Sequence, residues 1–238
     1  MPPIDNLRVV LISPRNPLNI GAAARAMSNF GFFQLRLVNA YDVAFREAKS
    51  AVNAGSVLEA AQQYKSIGEA VADCALVVGT TSLGPRGLEH TLRPLERAGP
   101  MIRKQLGSAP VALLFGSEKF GLSNDDLAWC HWLLRIGTRE EHRSMNLGQA
   151  VAVALYEIAR KPVVARPDER RRPAPSEDVE RITGLLIEVL EQSGYVHSGS
   201  TPAKLRRLVR RLNLETHDAE VWLGIFRQIQ WKLKSGGG

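Results

Sequence analysis

The sequence predicts an α/β domain built on a parallel sheet, followed by a small all-α unit. Five short, nearly continuous apolar runs alternate with helix-like stretches through the first two-thirds of the chain, as strands buried on both faces require. A proline-rich basic break then precedes three further helical patterns.

The strand candidates are LRVVLIS (7–13), QLRLVN (34–39), ALVVGT (75–80), VALLFG (111–116) and WLLRIG (132–137). Helices are expected between them over 20–30, 67–73, 92–106 and 146–159, and a short one over 124–129, where Ser123 followed by NDD has the form of an N-cap with acid in the first turn. Asn19 is expected to cap the first helix. The sixteen residues RKPVVARPDERRRPAP (160–175) hold four prolines and six basic residues, a composition that resists packing. The division is therefore a domain over 1–160, a basic linker over 161–175 and a helical extension over 176–238. In the extension Val179, Ile182, Leu185, Leu186, Val189 and Leu190 recur at helical spacing, Thr201 and Pro202 open a second helix, and 217–233 forms a third.

Charge narrows the partners. The net charge is +7, and from residue 160 onward there are 15 Lys and Arg against 10 Asp and Glu, so the excess lies in the extension. A polyanion is favoured. In KLRRLVRRL (204–212), Leu205, Leu208, Val209 and Leu212 form one stripe and leave Lys204, Arg206, Arg207, Arg210 and Arg211 outside it, a cationic surface suited to RNA phosphates. The early acid and short apolar run of MPPIDNLRVVLISP do not suit a signal peptide, and no apolar stretch nears the roughly 20 residues of a membrane helix. A cytoplasmic protein is expected, with no membrane partner.

Several chemistries are disfavoured. Cys74 and Cys130 are far apart, with no metal-ligand spacing, and read as core residues. The five histidines show no paired spacing and read as structural or exposed, so no metal is expected. GSEKFGLS (116–123) approaches a phosphate-binding loop, but Leu122 replaces the lysine that would meet the β- and γ-phosphates; a GxGxxG fingerprint is absent as well. Loops after the strands, TTSLGPRG, GSEKFG and GTREEHRSMN, instead gather small and polar residues at the carboxyl edge of the sheet, where α/β proteins bind ligands.

The first loop leads into NIGAAARAM (19–27), which sets Arg25 among alanines. Arginine stays charged at any ordinary pH and offers a planar fork suited to phosphate. Glu118, Ser144 and Asn146 supply a carboxylate, a hydroxyl and an amide from the other loops.

Three segments together resemble the SpoU branch of the SPOUT RNA methyltransferases: NIGAAARAM its first motif, LLFGSEKFGL its second with Gly116 and Glu118, and SMNLGQAVAVALYEI its third with Ser144 and Asn146. Order and spacing agree over residues 7 to 160. The residues after Ser82 in TTSLGPRGLEH fit no family pattern. The resemblance implies a deep trefoil knot over 110–150, where the residues alone predict an ordinary doubly wound sheet. It implies S-adenosylmethionine held by Thr80, Thr81, Ser82, Gly116, Ile136, Arg143, Ser144, Met145 and Leu147. It implies Arg25, Asn19, Glu118, Ser144 and Asn146 at the catalytic centre of a homodimer. The reaction implied is 2'-O-methylation of a ribose in tRNA, at cytidine or uridine 32 of the anticodon loop, with DNA excluded for want of the hydroxyl. Ribosomal RNA as substrate, and a non-catalytic RNA-binding role, remain the alternatives.

Overall fold

The computed structural model describes residues 4–41, 44–46, 48, 55–82, 90–160, 172–195 and 201–235. Seven strands, β1 (Leu7–Ile12), β2 (Gln34–Val38), β3 (Gln62–Tyr64), β4 (Leu76–Thr80), β5 (Leu92–Pro94), β6 (Val111–Phe115) and β7 (Trp132–Arg135), form one sheet in the order β3-β2-β1-β6-β4-β7-β5. Every pairing is parallel. All five residues of the central strand β6 are buried, which accounts for the unbroken apolar run VALLF. Removal of one such Leu or Val side chain from water contributes about 1.5–3 kcal/mol.

Helices cover both faces. On one lie α1 (Pro17–Phe30), α4 (Leu95–Leu106) and α6 (Leu147–Ala159), whose Ile20, Met27, Ile102, Leu106, Leu155 and Ile158 share a core with β1, β2 and β6. The short α2 (Gly55–Glu59) adds Val57 and Leu58 there. On the opposite face α3 (Ile67–Val71) and α5 (Asn124–Leu127) pack through Ile67, Val71 and Leu127, together with Leu122, Cys74 and Cys130. The two cysteines are buried and unpaired, as their spacing suggests.

Two strands escape the sequence reading. β3 and β5 are three-residue edge strands, too short and too polar to show an alternation, and β5 occupies the first three residues of the helix expected over 92–106. Pro94 ends β5 and precedes the helix, which begins at Leu95. The first helix also begins earlier than expected. Asn16 caps it, accepting from the Leu18 N–H at 2.9 Å, and Pro17 takes the first helical position. Asn19 is thereby freed from capping.

The C-terminal unit consists of α7 (Ser176–Gln192), α8 (Thr201–Arg211) and α9 (Thr216–Ser235) around Val179, Ile182, Val209, Leu223 and Phe226. The expected linker is shorter at its C-terminal end. Ala174 is buried in that core and its N–H donates to the Leu214 carbonyl at 2.8 Å, so 172–175 belong to the helical unit, while 161–171 lie outside the described residues. Flanking prolines disguised a single apolar anchor as linker. Among the described residues no helix is long and apolar enough to cross a membrane.

Candidate active site

A single hydrogen-bonded chain joins the three motif segments. The Asn19 side chain, buried in the first turn of α1, donates from Nδ2 to Glu118 Oε1 at 3.1 Å. Its Oδ1 accepts from Asn146 Nδ2 at 2.8 Å. Asn146 in turn caps α6, its Oδ1 accepting from the Gly148 and Gln149 N–H groups at 2.9 and 3.3 Å. Glu118 also accepts from the backbone N–H groups of Asn16 at 3.1 Å and Arg15 at 3.3 Å.

The orientation of both amides follows from chemistry. An ionised carboxylate only accepts, so Asn19 must present its NH2 to Glu118; its oxygen then faces Asn146, which must donate and keep its own oxygen for the helix terminus. Partial burial pushes the Glu118 carboxyl upward in pKa, but the hydrogen bonds from Asn19 and from the backbone of residues 15 and 16 outweigh it, and the net shift is downward. Glu118 is therefore a clamp that stays ionised, and a poor proton acceptor.

Two glycines permit this closeness. A Cβ at Gly116 would fall 2.0 Å from the backbone carbon of Gly121, because residues 117–121 fold back on the end of β6; a Cβ at Gly148 would lie 2.5 Å from that of Ala22, where α1 and α6 touch.

Beside the chain lies a cavity of about 360 Å³, within the range that holds small-molecule ligands. Thr80, Thr81 and Ser82, Gly116 and Ile136, and Arg143, Ser144, Met145 and Leu147 all line it. All nine residues expected around the cofactor are thus brought together. Sequence reasoning missed its apolar floor, Phe115, Leu122, Leu127 and Ala150, because these residues read simply as core. The 83–89 part of the loop with no family pattern lies outside the described residues.

Arg25 lies elsewhere. It is exposed on α1 and does not line its own chain's cavity. Six residues from Asn19, it sits about 9 Å further along the helix and about 120° around it, so the two side chains leave α1 in different directions.

A second cavity of about 780 Å³ lies across the 117–121 turn, over the ends of β1 and β2, with Ser13, Arg15, Asn16 and Asn39 on one wall. It shares Asn19 of the first motif and Ser117 to Gly121 of the second, while Ser13, Arg15, Asn16 and Asn39 lie outside every motif.

The cationic helix α8 departs from expectation. Arg206 grips Glu180 through Nε at 3.1 Å and Nη2 at 2.9 Å, with its guanidinium 4.3 Å from the centre of the Trp129 ring. Arg210 is fully buried, donates to Ser176 Oγ at 2.7 Å and lies 5.1 Å from the same ring. Both therefore dock the helical unit onto the α/β domain instead of facing RNA. Arg207 is only half-buried, and Lys204 and Arg211 stay exposed. A periodicity count separates stripe from surface, but it cannot see a neighbouring domain.

Beneath this junction His131 is buried, its Nδ1 accepting from the Val77 N–H at 3.0 Å. Burial and the nearby Arg210 charge lower its pKa to about 3. An unfolded histidine titrates near 6.5, so from about pH 6.5 down to about 3 the unfolded chain takes up a proton that the folded chain refuses, and stability falls with pH by up to about 1.4 kcal/mol per unit. Urea midpoints should show a loss of about 2 kcal/mol between pH 7.5 and 5, and His131→Asn, less stable at both, should show a shallower loss. His142 and His217 are exposed, and among the described residues no group of His, Cys, Asp and Glu could hold a metal ion.

A parallel sheet whose three loops converge on one cavity, locked by an Asn–Asn–Glu chain, defines a methyltransferase of the SpoU type, and residues 6–156 match the model of the SpoU rRNA methylase family. The chain belongs to that family. It is 33% identical over 241 residues to the tRNA (cytidine/uridine-2'-O-)-methyltransferase TrmJ of Salmonella typhimurium, the match covering 97% of this chain and 99% of the relative. The crystal structure of TrmJ from Z. mobilis ZM4 superposes with a TM-score of 0.83 at 31% identity, covering 94% of this chain and 98% of the other. An AdoMet-bound rRNA methyltransferase from Sinorhizobium meliloti shares the fold at a TM-score of 0.51 and 26% identity, over 65% of this chain and 56% of that one.

Proposed function

We propose that the protein methylates the ribose 2'-oxygen of cytidine or uridine 32 in the anticodon loop of tRNA, with S-adenosylmethionine as donor, as a cytoplasmic homodimer. The observation that carries this reading is the Asn146–Asn19–Glu118 chain beside the 360 Å³ cavity. Full-length likeness to tRNA methyltransferases supports the substrate class.

The cavity suits the donor. Its apolar floor matches an adenine face, and the hydroxyls and backbone of residues 80–82 and 143–145 offer partners for adenine and ribose edges. When bound, S-adenosylmethionine supplies an electrophilic methyl group on a sulfonium. In the transfer the 2'-oxygen bonds to the methyl carbon, the carbon–sulfur bond breaks with its electron pair left on sulfur, and the hydroxyl proton passes to water or a phosphate oxygen. Glu118 has its oxygens engaged by three N–H donors and does not take that proton. Arg25 binds the adjacent phosphate and offsets the charge growing on the 2'-oxygen. Asn19, Asn146 and Ser144 hold the motif loops in register around the ribose.

Arg25 performs this role in the partner's cavity. It shares an exposed face of α1 with Leu18, 69% exposed, and α6 presents Val153 and Tyr156, 56% exposed, beside it. An apolar face around a catalytic cation suits a second copy of the chain. The trefoil knot over 110–150 belongs to the same reading, supported by the placement of β6 between β1 and β4 and of β7 beyond β4.

Methyl mapping on an unmodified tRNA transcript incubated with the protein and donor is expected to show one 2'-O-methyl group at nucleotide 32, and none when that nucleotide is 2'-deoxy. Methylation confined to ribosomal RNA fragments would overturn the substrate.

A further inference from the structure

The second cavity holds no residue with a role in the transfer beyond Asn19 and Glu118, yet it is large enough for a nucleotide. It sits outside the carboxyl ends of β1 and β2, where a parallel sheet receives ligands. The turn 117–121 separates it from the cofactor cavity, and Ser117 to Gly121 line both. A ribose presented to the cofactor at that border sends a base into one of the two spaces, and the first is filled by the donor.

Phe120 stands on the dividing turn with 67% of its surface exposed. Its mounting is rigid: the Gly121 N–H donates to the Ser117 carbonyl at 2.8 Å, the Phe120 N–H donates to Ser117 Oγ at 3.4 Å, and Gly121 takes a left-handed φ of 67°. The Lys119 ammonium lies 5.1 Å from the ring centre, and Arg15 lines the same cavity. The two carboxylates of the cavity are already engaged within the protein, Asp126 by the Ser123 N–H at 2.8 Å and Glu118 by its clamp. An exposed aromatic ring on a hydrogen-bonded turn beside cations is the chemistry by which proteins hold unpaired RNA bases.

We infer that Phe120 is a stacking shelf for an unpaired base of the substrate RNA, held in the second cavity with Arg15 and Lys119 on its phosphates. This rests on the reading of the chain as an RNA methyltransferase. Phe120 is a positioning residue with no group that could take part in proton or methyl transfer.

The test compares wild type, Phe120→Ala and Phe120→Trp by steady-state methyl transfer to a tRNA transcript. Alanine is expected to raise the KM for tRNA about tenfold and tryptophan to stay within about twofold of wild type, both measured at saturating S-adenosylmethionine because Phe120 also borders the first cavity. An unchanged tRNA KM for the alanine variant overturns the shelf, as does failure of tryptophan to rescue or a change in sedimentation that reveals Phe120 as a subunit contact. If wild type transfers no methyl group, the proposed reaction falls. The shelf is then judged by anisotropy of a fluorescein-labelled anticodon stem-loop: weaker binding by the alanine variant supports it, and equal binding overturns it.

Discussion

Arg25→Lys is expected to lower kcat for tRNA methylation about 100-fold and Arg25→Ala about 1000-fold, the scale seen when a preorganised donor is removed from a developing oxyanion. Lysine keeps the charge but loses the planar fork that grips phosphate and sugar oxygens together. Because Arg25 is assigned to the phosphate and 2'-oxygen of the RNA and not to the methyl donor, calorimetry without RNA should find S-adenosylmethionine affinity at the wild-type level for both variants. Folding should be untouched as well, since the side chain is exposed. Near-normal turnover by the lysine variant would remove the fork from the mechanism.

The second large effect concerns Asn19. In Asn19→Ala, Glu118 and Asn146 each lose a partner in a half-buried setting, a cost of about 1–3 kcal/mol. Activity is expected to fall about 100-fold as the motif loops lose register. Asn19→Asp is the sharper probe. It sets a second carboxylate where the amide now lies 3.1 Å from Glu118. At pH 8 both are ionised and repel, so this variant should be less stable than Asn19→Ala; near pH 5 one of the pair holds a proton and can donate it, so the deficit should shrink. Urea denaturation at the two pH values measures the difference. An aspartate variant whose deficit relative to alanine is the same at both would contradict the clamp.

Much of this arrangement can be read from the residues. The apolar runs of the five longer strands are continuous because those strands are covered on both sheet faces, and a run such as VALLF advertises that burial directly. Ser123 advertises its helix equally well, because capping is local chemistry: its side chain accepts from Asp126 while Asp126 returns the bond. β3 and β5 leave no such mark, since a three-residue edge strand gains its pairing from a neighbour distant in sequence. The cofactor cavity was legible through motif spacing, which names the loops at the sheet edge. What motif spacing conceals is the role each residue plays. Asn19 looks like a cap until Asn16 and Pro17 are seen to do that work, and Glu118 is only a carboxylate among the motif loops until its three donors show it to be a clamp. Arg206 and Arg210 look like RNA ligands because a helix pattern carries no information about Glu180, which meets them from the neighbouring helix of the same unit, or about Trp129, which meets them through the docking of one unit on the other.

The most direct measurement co-expresses two differently tagged chains, one Arg25→Ala and one Ile136→Trp, which fills the cofactor cavity, and purifies the mixed species on both tags. If a guanidinium from one copy completes the cavity of the other, each mixed dimer retains one whole site and should turn over at about half the wild-type rate, although neither parent is active. A mixed species no more active than its parents would contradict the shared site and return Arg25 to its own chain.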